Sequence, residues 1–154
     1  MSFREAYKQV KESVYDAKLL LSGKVEEGIQ IDKTDVIFIK NPSREKIVYE
    51  INSSDVAVIP NSDNEFTRYC FPYKLPEYMA CKVPIVATDI GDVSLMLKKY
   101  PGSLCRPDAY DMATKIIGKL KNYKRVDYRK ELKGLDWKVL SNKLNKIIKT
   151  SVKK

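Results

Sequence analysis

The stretch Phe71–Gly91, FPYKLPEYMACKVPIVATDIG, constrains the fold of this chain more tightly than any other. Its second half, Val83–Ala87, is apolar throughout and passes directly into Thr88, Asp89 and Gly91. A strand with one wet face alternates apolar and polar residues. A run without alternation fits a strand covered on both faces, as in a parallel sheet. The first half of the stretch sets one cation, Lys74, and one carboxylate, Glu77, around the start of a short helix. Helix starts offer unpaired N–H groups and positive potential, a seat for phosphate. Ligands of open parallel sheets bind beyond the carboxyl ends of the strands, which places Thr88–Gly91 near a site.

The flanking sequence repeats the same alternation. Phe3, Ala6, Tyr7, Val10 and Val14 recur at helical spacing, which predicts an amphipathic helix over 3–16. Lys18–Leu21 and Asp35–Ile39 read as strands, and the polar segment Lys24–Lys33 as a loop with one helical turn. Asn41-Pro42-Ser43 makes a turn, with Ser43 capping a helix over 44–53. Asp55–Pro60 is a third strand, and Asn61–Cys70 a polar loop. Pro76 disfavours helical angles at Leu75 and suits a first helical position, so the helix is expected to begin at Pro76.

Beyond the central stretch, a helix is expected over Val93–Tyr100, ended by Pro101-Gly102, then a short edge strand at Ser103–Cys105. Pro107 or Asp108 opens a helix to about Leu120, with Ala113, Ile116, Ile117 and Leu120 on its apolar face. Trp137, Leu140, Leu144, Ile147 and Ile148 define a C-terminal helix capped by Asp136. Strands alternating with helices give an α/β fold, a Rossmann-like doubly wound parallel sheet with helices on both faces. A length of 154 residues suits one domain, 1–154, with basic closing helices over 122–154.

Composition excludes several classes. At 44% hydrophobic and 32% charged the chain reads as soluble and globular, and no apolar run approaches the ~20 residues of a membrane span. MSFREAYKQV lacks the apolar core of a signal peptide. Cys70, Cys81 and Cys105, odd in number and widely spaced, suggest free thiols in a reducing, cytoplasmic setting. The chain has no histidine, which argues against a zinc site or a histidine-based triad, and no metal is expected. Residues 115–154 carry net charge +11 and the remainder −2. Such a region suits an anionic membrane surface or simply forms a solvated helix face. Nucleic acid is disfavoured, because Tyr123, Tyr128 and Trp137 are the only aromatics there to stack on bases.

The string PYKLPEYMACKVPIVATDIGD resembles the signature of the C-terminal, donor-binding domain of GT-B-fold retaining glycosyltransferases. That family shows a Lys, a Glu opening an E-(A/Y)-M-A helix, then a small residue, Pro and a V-V-A-T strand. INSSDVAVIPNSDNE is similar to the strand and loop before it, and LDWKVLSNKLNKII to the Trp-containing helix that closes the fold. The resemblance spans roughly residues 35–150 and is most specific over 55–91.

It implies a nucleotide-sugar donor as substrate, used without cofactor or metal. Glu77 would accept hydrogen bonds from the ribose hydroxyls, a role suited to a group that only accepts. Lys74 would face the diphosphate, with backbone N–H groups of the loop around Tyr73 and Leu75. Pro60, Asp63, Glu65, Thr88, Asp89 and Gly91 would line the pocket. Taken alone, Glu77 is a complement to a helix dipole and Lys74 an ordinary surface lysine. Their assignment rests on the resemblance. Tyr78, Met79 and Cys81 read as packing residues.

Two departures accompany the matches. The family pairs two glutamates separated by seven residues, and the earlier position is Tyr69 here; Asp63 or Glu65 could substitute. The family domain also opens with a strand and a phosphate-binding loop, whereas this sequence opens in a helix. The family's acceptor half is not represented in these residues, so the resemblance implies a donor half-site: a separated half that meets a partner chain or self-associates, a truncated gene product, or a domain expressed alone. The reaction would serve polysaccharide or glycolipid synthesis, at the inner face of a membrane if the basic helices dock there. Two other readings stand beside it: a non-catalytic, glycosyltransferase-like binding or assembly module, and a signalling receiver. The receiver needs clustered acids at the end of a first strand, and LLLSG has none.

Overall fold

The computed structural model describes residues 3–23 and 35–151. The elements run α1 (Phe3–Ser13), β1 (Leu19–Gly23), β2 (Val36–Lys40), α2 (Arg44–Asn52), β3 (Ala57–Ile59), α3 (Glu65–Tyr69) and α4 (Lys74–Ala80). They continue with β4 (Ile85–Thr88), α5 (Gly91–Leu97), β5 (Leu104–Cys105), α6 (Ala109–Lys121), α7 (Arg129–Lys133) and α8 (Trp137–Ser151). Every strand pair is parallel, and the fold is α/β and Rossmann-like. β4 is buried at all four positions, as its unbroken apolar run requires.

Two apolar clusters lie on the two faces of the sheet. On one, Leu75 and Met79 of α4, Ile51 of α2, and Val93 and Leu97 of α5 pack on Ala57, Ile59, Ile85 and Ala87, with Tyr128 beneath them. On the other, Ala6 and Val10 of α1 meet Met112, Ala113 and Ile116 of α6 against Val86 and Cys105. Capping follows the side-chain chemistry: Ser43 accepts from the Lys46 N–H, Asp108 from Asp111, and Asp136 from Lys138 and Val139. β5 is an edge strand, as expected.

The structure departs from the sequence reading in several places. Among the described residues the strands form two parallel sheets, β1–β2 and β3–β4–β5, rather than one continuous sheet. Asn61–Cys70 is not all loop, because Asn64 and Thr67 close a reciprocal capping box and α3 follows. α4 begins at Lys74 rather than Pro76; burial of the Leu75 side chain (0% exposed) with Met79 one turn on overrides the local bias that Pro76 imposes. α5 starts two residues earlier than expected, at Gly91, and ends at Leu97. α7 is an additional short turn of helix held by Tyr128 and Glu131. The Lys24–Lys33 expectation lies outside the described residues. α8 forms where the periodicity places it, yet its apolar face packs on nothing extensive: exposure runs from 37% at Leu140 to 84% at Trp137.

Candidate functional site at the carboxyl ends of the central strands

β3 ends at Ile59 and Pro60, and β4 at Thr88 and Asp89, so both chains leave the sheet at the same end. Thr88 is buried there, its hydroxyl 3.5 Å from the Ile59 carbonyl, which ties the two strand ends together. The Asp89 N–H donates to the Cys105 carbonyl at 2.9 Å, and its carboxylate accepts from the Ser94 hydroxyl. Gly91 then opens α5 at φ +56°, in close contact with the backbone of Thr67 and Arg68. α3 and the start of α5 are thereby pressed together beside the strand ends.

Lys74 and Glu77 occupy the first turn of α4, three residues apart and on one side of the helix. Both are exposed, and neither enters an ion pair among the described residues. Buried Leu75 and Met79 anchor that turn in the cluster that also holds Ile59 and Ala87. A rigid core thus sets the position of a cation and an acceptor whose heads are in solvent. The Leu75 N–H already donates to the Pro72 carbonyl at 2.9 Å. Pro76 has no N–H to offer. Tyr73 is the residue before the helix, its ring 80% exposed and edge-on to Phe71 at 6.3 Å between centroids.

The acidic candidates separate clearly. Asp63 is held in a two-pronged contact by Arg68, Nε to Oδ1 at 2.7 Å and Nη2 to Oδ2 at 3.1 Å. The guanidinium keeps that carboxyl below its ordinary range, so Asp63 stays an engaged anion. Glu65 is exposed in the first turn of α3, beside Phe66, Tyr69 and Cys70, which line a shallow groove. Tyr69, the residue at the position of the family's earlier acid, is 85% exposed. Pro60 is half-buried behind β3. No direct polar contact joins Lys74 or Glu77 to Thr88–Gly91 among the described residues. The two groups of candidates are linked through the apolar core beneath them.

Sequence reasoning missed Arg68, whose only signal is its spacing of five from Asp63. It also missed Phe66, exposed beside Tyr69. Tyr78 and Met79 are packing residues, as read.

Open parallel α/β domains take their ligands beyond the carboxyl ends of the strands, and here that rim carries small polar residues, with a charged helix start on the same core. A family model for glycosyl transferases group 1 matches residues 2–122, and the chain belongs to that family. A comparison with curated protein sequences returned no significant match.

Proposed function

We propose that this chain is the donor-binding half of a glycosyltransferase that takes its sugar from a nucleoside diphosphate sugar without a metal. Family membership supports a sugar-transfer role, and one observation carries the finer reading. Lys74 and Glu77 stand unpaired on one turn of α4, while the other side of that turn is fixed in the core. Leaving adjacent opposite charges unpaired at a rigid position preserves both for a ligand with an anionic and a diol end. Lys74 would meet the diphosphate as a point charge, with the Tyr73 and Lys74 N–H groups beside it. Glu77 would accept from the ribose diol. Thr88–Gly91, with Pro60, would form the floor. The Arg68 contact leaves Glu65 as the freer acid of the α3 region.

Transfer needs both substrates in a near-attack geometry, so an acceptor-binding unit has to face this donor site for the reaction to proceed. The product is a polysaccharide or glycolipid. A cytoplasmic, membrane-peripheral setting is supported by the +11 net charge of residues 115–154. No helix among the described residues is long and apolar enough to cross a membrane. Flotation with anionic vesicles at low salt, lost at high salt, would support that setting; equal recovery with neutral vesicles would remove it.

Calorimetric titration with UDP, GDP and ADP, in the absence of metal, tests the donor site. Saturable binding of one nucleotide is expected, weakened by both Glu77→Ala and Lys74→Ala. Binding unaffected by either substitution would place the nucleotide elsewhere. The exposed Tyr69 in place of an acid favours the second reading, a non-catalytic module, and absence of binding at millimolar nucleotide would select it.

A further inference from the structure

Along α8, Trp137, Leu140, Leu144, Ile147 and Ile148 recur at steps of three and four, so they line one side of the helix. All five are exposed. No other element of the described residues packs extensively along α8. The other long helices behave differently: α1 and α6 hide Ala6, Val10, Met112, Ala113 and Ile116 in the cluster against Val86 and Cys105. A contiguous apolar face left open on a charged helix marks a docking surface.

The charges on the rest of the helix narrow the occupant. Lys138, Lys143, Lys146 and Lys149 are exposed there, and no acid occurs between Trp137 and Ser151. None of the four lysines enters an ion pair among the described residues. Two copies of α8 laid face to face would set lysine beside lysine with no acid to offset them. An anionic bilayer answers both sides of the helix, with acyl chains for the apolar face and phosphate oxygens for the ammonium groups. Lysine stems can follow the apolar boundary while their heads stay in the headgroup layer. Trp137 opens the helix and is 84% exposed. An indole joins an apolar body to one N–H donor, which suits the same boundary. At 15 residues with four charges, α8 is too short and too polar to span a bilayer that needs ~20 apolar residues, so it lies in the plane.

We propose that α8 inserts into the surface of an anionic bilayer. Trp137, Leu140, Leu144, Ile147 and Ile148 sink among the upper acyl chains, and the lysines stay among the lipid phosphates. The membrane-peripheral setting proposed above is the premise, and α8 is the element that makes the contact. Net charge draws the chain toward the surface, while the apolar face fixes which side of the helix enters it. Held in this way, the donor site works beside acceptors embedded in the same bilayer.

Trp137 is the chain's single tryptophan, so its emission reports on this face directly. The full chain is mixed with vesicles of phosphatidylcholine, with or without phosphatidylglycerol. Anionic vesicles should shift the emission to the blue, and brominated acyl chains should quench it; neutral vesicles should do neither. Leu144→Asp should weaken binding to anionic vesicles about tenfold or more. Asn142→Asp adds the same charge one turn from Lys138 and from Lys146, on the polar side, and should weaken binding less than about threefold. Both positions are exposed, and equal urea midpoints would show that the variants keep the fold. The proposal is overturned if the two aspartates weaken binding equally, or if soluble polyglutamate shifts the emission as far as vesicles do. It is also overturned if the free chain, as monomer or dimer, already shields Trp137 from iodide. Flotation with anionic vesicles without a Trp137 response removes the insertion of α8 and leaves the membrane setting standing, whereas no flotation at low salt removes both.

Discussion

A Cβ atom placed on Gly91 would lie 2.6 Å from the carbonyl oxygen of Arg68, closer than real side chains approach. The same residue sits at φ +56°, where an L side chain is strained regardless of space. Gly91→Ala therefore meets two penalties, and α3 must retreat from α5 to relieve one of them. A loss of about 2 kcal/mol or more is expected in urea unfolding. An unchanged midpoint would show that α3 does not rest on α5 in solution.

Arg125 links segments far apart in sequence. Its Nη2 donates to the Asn52 carbonyl at 2.7 Å and its Nη1 to the Cys81 carbonyl at 3.0 Å. These carbonyls lie at the carboxyl ends of α2 and α4, where a cation also complements the helix dipoles. Arg125→Ala is expected to cost about 1–2 kcal/mol. Arg125→Lys should recover less than half, because one ammonium cannot reproduce the fork that spans both carbonyls. Full recovery by lysine would mean that charge alone matters there.

Two large apolar residues should respond in opposite ways. Met79 is fully buried beneath the candidate site, and Met79→Ala should cost about 2–5 kcal/mol. Leu144 is 57% exposed on α8, and Leu144→Ala should stay within about 0.5 kcal/mol. A large loss at Leu144 would show that the face of α8 is covered in solution. Trp137, the chain's single tryptophan, gives an independent fluorescence readout of the same face.

Alkaline pH should weaken the fold through buried acids that stay protonated in it. Burial pushes the Cys105 thiol up to about 12, and its Sγ lies 3.3 Å from the Ala87 carbonyl. Burial pushes Tyr128 up to about 12 as well. Tyr100 is raised by burial and by its hydrogen bond to Glu131. A folded-state value above the unfolded one favours the neutral form, so the stabilisation is complete below the unfolded values of roughly 8.5–10 and declines as pH rises toward 12. Unfolding midpoints at pH 8, 10 and 11 should fall in that order. Midpoints that hold to pH 11 would place these groups in contact with water.

Much of the framework was legible in sequence because it depends on local chemistry. The Ser43, Asp108 and Asp136 caps need only a side-chain oxygen a few residues before a helical pattern. The apolar run before Thr88 could serve only as a covered strand, and β4 is that strand. The α4 start was misplaced by two residues because burial of Leu75 outweighed the local preference imposed by Pro76. α3 escaped notice because its capping box uses Asn64 and Thr67 on a short polar segment with no apolar periodicity.

The sequence by itself determined the alternation of strands and helices, the family, and the identities of Lys74 and Glu77 at a helix start. These follow from periodicity and from residues adjacent in the chain. Tertiary structure alone decided that Gly91 touches Arg68 across 23 residues and that Arg125 joins the ends of α2 and α4. It also decided that the strands stop short of forming one sheet. Pairing between strands depends on which edges meet in space, and no run of side chains along one segment encodes that.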